Sequence, residues 1–208
     1  MRIAIGLFAA AVVALGAAPA RAENFFQRLD GYLGVGFAKP FFTTQAVETE
    51  TGEVIFESQP APGGSLSASV GFYYPVAARW DAGLTLGYHL LGSTNNVERG
   101  SLGASVDYSA LDLLAMAHWK PEGLGPVARI AMGAGLFHAG GQLSVAGGGG
   151  LSFIDLARDE NVLGLGADVT FMRKRPAPVR IGLELGTRVG FVPQETWTLV
   201  TGRVVFHY

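Results

Sequence analysis

The feature that most restricts this chain is an alternation of apolar and non-apolar residues, with period two, along almost its whole length. Between Trp80 and Leu90 one parity holds Trp80, Ala82, Leu84, Leu86, Tyr88 and Leu90, and the other Asp81, Gly83, Thr85, Gly87 and His89. Leu66, Ala68, Val70, Phe72 and Tyr74 alternate in the same way with Ser65, Ser67, Ser69, Gly71 and Tyr73. So do Val179, Ile181, Leu183 and Leu185 with Arg180, Gly182, Glu184 and Gly186. Successive side chains of a strand point to opposite faces, so this pattern marks strands whose two faces meet different surroundings. Eight such segments lie at roughly 31–38, 65–74, 80–90, 105–119, 127–138, 162–173, 179–191 and 196–208.

The N-terminus predicts export. Arg2 precedes an apolar run from Ile3 to Ala18, and Ala20-Arg21-Ala22 fits a small-x-small cleavage pattern. Residues 1–22 are expected to be a cleaved signal peptide, and 23–208 a single domain beginning at Glu23. The composition is lipid-like, with 49% hydrophobic and 15% charged residues and a mean hydropathy of +0.31. After the leader no uninterrupted apolar stretch reaches spanning length. A chain that must satisfy every backbone group in lipid without a helix has one solution, the closed barrel. The absence of cysteine excludes disulfides, thiolate–metal sites and a lipid-anchored N-terminal cysteine. A formal net charge of −2 gives nucleic acid no electrostatic hold.

The connections support an all-β, eight-stranded, antiparallel up-and-down transmembrane barrel. Gaps 39–64, 91–104 and 139–161 are long and polar or glycine-rich, whereas 75–79, 120–126 and 174–178 are short and carry prolines. Membrane barrels have short periplasmic turns and longer external loops, so the first strand is expected to run outward and the last to end in the periplasm. Only the last external connection, near Val192 to Glu195, is short.

These features resemble the small outer-membrane barrels of the OmpA, OmpX and OmpW type. The resemblance covers the mature chain and is one of architecture. The C-terminal Thr201-Gly202-Arg203-Val204-Val205-Phe206-His207-Tyr208 is similar to their assembly signal, with the glycine one position early. It implies recognition by the barrel-assembly machinery, residence in the bacterial outer membrane among lipid and lipopolysaccharide, and a monomer.

Parity then assigns the faces. Tyr74, Trp80, Trp119, Phe171, Phe206 and Tyr208 share the apolar parity beside short turns and are expected to form the periplasmic aromatic girdle. Phe37, Tyr88 and Phe191 are candidates for the outer one. No formal charge occurs at the apolar parity in the strand centres, where Lys or Arg at the lipid midplane would cost roughly 2–4 kcal/mol. A soluble barrel with its apolar face inside would instead show a solvated outer face rich in Lys and Glu. The lumen is expected to hold Asp81, Asp112, Arg129, Asp168, Arg180, Glu184, Arg188 and Arg203 as a salt-bridge network, with Glu184 nearly level with both Asp168 and Arg203. An eight-stranded barrel is just wide enough for side chains to fill it.

These residues point away from catalysis. His89, His118, His138 and His207 lie in different strands without metal-ligand spacing, so no metal or other cofactor is expected. Outer-membrane lipid A deacylases place a histidine immediately before the nucleophilic serine, and no His-Ser dipeptide occurs here. The expected function is therefore that of a non-enzymatic barrel with a mostly closed lumen, acting in binding or envelope integrity through its external loops. Two alternatives remain. One is passage of small hydrophobic molecules in the manner of the OmpW type, through a mouth formed by Tyr88, Phe137, Phe191 and Trp197. The other is a lipid A-modifying enzyme.

Overall fold

The computed structural model describes residues 28–44, 59–60, 63–99, 102–147, 150–172, 179–193 and 195–208. The expected leader and cleavage site lie outside these residues, as do most of the connection 39–64 and the connection 174–178.

The barrel strands are β1 (Asp30–Phe41), β2 (Ser65–Ala77), β3 (Trp80–Arg99), β4 (Leu102–Trp119), β5 (Val127–Gly147), β6 (Gly150–Met172), β7 (Arg180–Val192) and β8 (Glu195–His207). Each pairs antiparallel with its sequence neighbours, and β1 pairs with β8, so the sheet closes. The seam runs from Tyr32 opposite His207 to Phe41 opposite Thr198. It is fastened beyond its end by two backbone hydrogen bonds between Gly31 and Tyr208, each 3.1 Å. Two further residue pairs, Thr43 with Pro60 and Thr44 with Gln59, bring the start and end of the connection between β1 and β2 together.

Parity sets the faces as the alternation requires. Leu33, Val35, Leu66, Phe72, Leu84, Leu86, Leu163, Leu165, Leu183 and Leu185 are exposed on the outside. Ser67, Thr85, His89, Asp112, Asp168, Glu184, Arg188 and Arg203 are buried inside. An apolar exterior around a polar interior is the inverse of a soluble barrel and matches a structure solvated by lipid. Trp80 and Tyr208 are exposed at the end where the strands join by short turns, and Tyr74, Trp119, Phe171 and Phe206 are half-buried beside them.

The opposite, hairpin end departs from the expectation. Gaps 91–104 and 139–161 are largely strand: β3 and β4 stay paired up to Arg99 opposite Leu102, and β5 and β6 up to Gly147 opposite Gly150. β4 and β5 also pair that far, with Gly103 opposite Ala146. The ladders of four adjacent strands thus continue on one side of the barrel. A ladder that runs beyond a bilayer has no lipid face to satisfy, so its sequence need not carry the hydrophobic alternation that signals a strand. A bulge at Leu91 marks the transition, with Gly92 at φ 85° supplying the left-handed conformation it needs.

Candidate functional site

The lumen is filled in three layers. At the hairpin end an apolar layer packs Phe42, Leu91, Phe137, Val192, Trp197 and Leu199 together. Phe42 follows β1 and turns inward, its ring stacked on Trp197 at 4.1 Å between centroids and 8° between planes. Gly164 and Gly190 make room for Phe137: a Cβ on Gly190 would collide with its ring. Phe137 and Trp197 have no exposed surface.

Below it lies a continuous polar layer. Ser67 Oγ lies 2.9 Å from His89 Nδ1, and His89 Nε2 lies 2.7 Å from Asp112 Oδ2. Arg188 Nε approaches Asp112 Oδ1 at 3.4 Å, while its two terminal nitrogens donate to both oxygens of Asp168 at 2.7 and 2.9 Å. Arg203 Nη2 reaches Asp168 at 3.2 Å and Glu184 at 2.8 Å, and Thr170 donates to Glu184 at 3.1 Å. Six strands thereby contribute to one chain of contacts. The bidentate Arg188–Asp168 pair fixes geometry as well as charge.

The third layer closes the turn end. The rings of His207, Tyr32, Tyr73 and His118 follow one another at 5.6, 5.2 and 3.9 Å. Arg129 lies 5.1 Å over Tyr73 and donates to Asp30 at 2.8 Å. Asp81 pairs with Lys120 at 2.6 Å and faces Arg129 at 3.8 Å.

The charged residues expected in one network therefore divide between two layers. Asp112, Asp168, Glu184, Arg188 and Arg203 are brought together in the middle. Arg129 sits at the turn end with Asp30 and Asp81, and Arg180 at that rim, 3.9 Å from Asp30. The register also places Asp168 opposite Gly186 and Glu184 opposite Thr170, so Asp168 stands two residues beyond the level expected for it. Glu184 and Arg203 are directly opposite. The four aromatics assigned to a mouth do not converge: Phe137 and Trp197 lie inside, whereas Tyr88 and Phe191 are exposed on the outer face. Their parities differ, which rules out a common pocket.

Sequence reasoning overlooks Ser67, His89 and Thr170 as parts of the polar layer. The signal is available, because Ser67 and His89 have inward parity and pair across the β2–β3 ladder. Their order, hydroxyl to imidazole to carboxylate, is the order of an activated nucleophile. Ser67, His89 and Asp112 are fully buried, however, and Arg188 engages the far side of Asp112. No surface at Ser67 is open to a substrate carbonyl in this arrangement. Among the described residues there is no group of three or more His, Asp or Glu arranged to hold a metal.

No family model and no curated protein matches the chain. Solved structures do. The crystal structure of Ail, the attachment invasion locus protein of Yersinia pestis, superposes with a TM-score of 0.52 at 12% identity, covering 86% of this chain and 98% of that one. Ail in complex with the heparin analogue sucrose octasulfate gives 0.53 at 9% identity, with 87% and 99% covered. A major outer membrane protein from Thermus thermophilus gives 0.45 at 14%, with 86% and 99% covered. The fold is that of the small eight-stranded outer-membrane barrels.

Proposed function

We propose that this chain is a non-enzymatic integral barrel of the bacterial outer membrane whose lumen is closed and whose role is exerted at the cell surface by its outer hairpins, in binding or in envelope integrity. The observation that carries this reading is the filling of the lumen by three successive layers, which leaves the paired hairpins as the part of the molecule open to other molecules. A passage role would need Trp197, Phe137 and Phe42 to part. Hydrolysis would need Ser67 to be reachable. Both are costly where side chains pack at the density of a protein interior.

The test is to shorten the hairpins. A variant in which 93–107 and 142–158 are each replaced by a two-residue turn should insert and fold as the parent does, yet lose whole-cell adherence or the envelope's resistance to detergent. Retention of both properties would place the function in the lumen or on the lipid face.

A further inference from the structure

The outer wall changes character abruptly towards the hairpin end of β3 to β6. Leu86, Leu113, Leu136 and Leu163 stand side by side across the four strands, paired through three successive ladders. Leu86, Leu136 and Leu163 are exposed on the lipid side. One step further out, Tyr88 and Leu111 continue this face, but His138 and Asn161 interrupt it. The next step holds Leu90, Ser109, Gly140 and Asp159. Residues on one face of a strand recur about every 7 Å, so a polar group begins one such step from an unbroken row of leucines. Tyr88, exposed and level with His138, marks the same depth, since its amphipathic ring suits the boundary between hydrocarbon and headgroups.

Gly140 leaves a gap in the middle of this polar group. A Cβ placed there would stand 2.9 Å from Ser109 Oγ and 3.7 Å from His138 Nε2. A glycine inside a strand marks a place where another group can approach the backbone closely. His138 Nδ1 lies 3.5 Å from Asp159 Oδ1. A carboxylate on that side favours the proton on Nδ1 and leaves Nε2 as an acceptor. The serine oxygen accepts as well, so two acceptors border the gap. Asp159, opposite Gly140, adds negative charge, and Asp107, exposed two residues before Ser109 on the same face, adds more. Among the described side chains at this end of β3 to β6 there is no lysine or arginine. The neighbouring Arg158 occupies the other parity of β6 in the sequence. An occupant of the gap must therefore donate hydrogen bonds and gains from a positive charge, whereas a phosphate is repelled.

We propose that the gap over Gly140 receives the ammonium group of a lipid headgroup. Ser109 Oγ and His138 Nε2 accept its hydrogen bonds, Asp159 and Asp107 supply the opposite charge, and the acyl chains run down the leucine row below. This goes beyond the reading in which the outer hairpins act at the surface. It shares with that reading only the outward direction of the hairpin end, which makes the lipid one of the outer leaflet.

The experiment places the full chain in phosphatidylcholine nanodiscs containing small, equal amounts of phosphatidylethanolamine and phosphatidylglycerol with the same acyl chains. Native mass spectrometry then reads which lipids stay on the released barrel. Phosphatidylethanolamine carries an ammonium with N–H donors, phosphatidylcholine a cation without them, and phosphatidylglycerol neither. Phosphatidylethanolamine should be retained about ten-fold above its share, the scale of one hydrogen bond to a charged group, and the other two at their share. Gly140→Val, which fills the gap, and Asp159→Asn, which removes the charge at an exposed position, should each abolish the excess. Unchanged gel mobility of the unheated barrel certifies the fold of both variants. The proposal is overturned if the wild-type chain retains phosphatidylethanolamine only at its share, if phosphatidylglycerol is retained as strongly, or if neither variant lowers the excess. Trimming 93–107 and 142–158 leaves Ser109, His138, Gly140 and Asp159 in place, so failure of the surface reading and failure of the lipid site are read separately.

Discussion

Glu184 and Arg203 face each other across the β7–β8 ladder, and one guanidinium nitrogen of Arg203 serves both Glu184, at 2.8 Å, and Asp168, at 3.2 Å. Both partners of the ladder pair are buried, so neither can exchange the other for water. Replacing Arg203 with Met should strand the Glu184 carboxylate and cost about 3–5 kcal/mol, because removal of one member of a buried pair leaves an uncompensated charge. Asp168 keeps its two bonds from Arg188. The double variant Arg203→Met/Glu184→Met should recover much of the loss. Unfolding of the single and double variants in bilayers measures this coupling, and purely additive effects would deny the pair.

The contact between Ser67 and His89 distinguishes a structural chain from a nucleophile. Ser67→Ala should leave a buried imidazole nitrogen without its partner and destabilise the barrel by about 1–3 kcal/mol. A fluorophosphonate probe should fail to label Ser67 in the native protein. Labelling that disappears in Ser67→Ala would show the site to be reachable.

Among the described residues Trp197 is the largest of the fully buried side chains, and it belongs to the apolar layer. Trp197→Ala should cost about 3–5 kcal/mol through the cavity it leaves. The same variant should admit a small hydrophobic dye that the parent excludes. Equal dye uptake by parent and variant would mean that this layer does not seal the hairpin end.

Orientation can be read by labelling, since the chain has no native cysteine. Pro193 lies at the hairpin end and Leu124 in a short turn at the other, and both are exposed. A membrane-impermeant maleimide on intact cells should modify Pro193→Cys and spare Leu124→Cys. The reverse pattern would invert the topology.

Much of this molecule is legible in its amino-acid sequence. Inside a bilayer a barrel strand has lipid on one face and packed polar groups on the other, so period two appears in the residue types and delivers strand identity, parity and the split of lumen from lipid face. The paired hairpins above Leu91 and Gly141 read as loops for the complementary reason: without a lipid face a ladder needs no hydrophobic alternation, and Asn95-Asn96 or Gly140-Gly141 looks the same in a ladder as in a loop. The level of Asp168 depends on the β6–β7 register, which the turn at 174–178 does not encode in its length alone. Phe42 lies beyond the end of β1, where parity says nothing about a ring that turns back over Trp197. For the four aromatics assigned to a mouth, parity alone places Tyr88 and Phe191 outside and Phe137 and Trp197 inside.

The C-terminus offers a further check. Tyr208 exchanges backbone hydrogen bonds with Gly31 at the closing seam, and its ring is exposed among the turn-end aromatics. Deleting Tyr208 should lower the yield of assembled barrel and leave unfolded chain in the periplasm. Normal assembly of the truncated chain would deny that the C-terminal stretch serves as an assembly signal.

Single-channel recording of the wild-type protein in planar bilayers tests lumen closure most directly. Three packed layers, with Phe137, Trp197, Arg188 and His207 each buried across the lumen, predict a flat trace in which the inserted barrel passes no resolvable current. Stable conductance steps that change in size when Arg188 or Arg203 is replaced would contradict the account, because they would show ions moving through the polar layer that closure requires to be sealed.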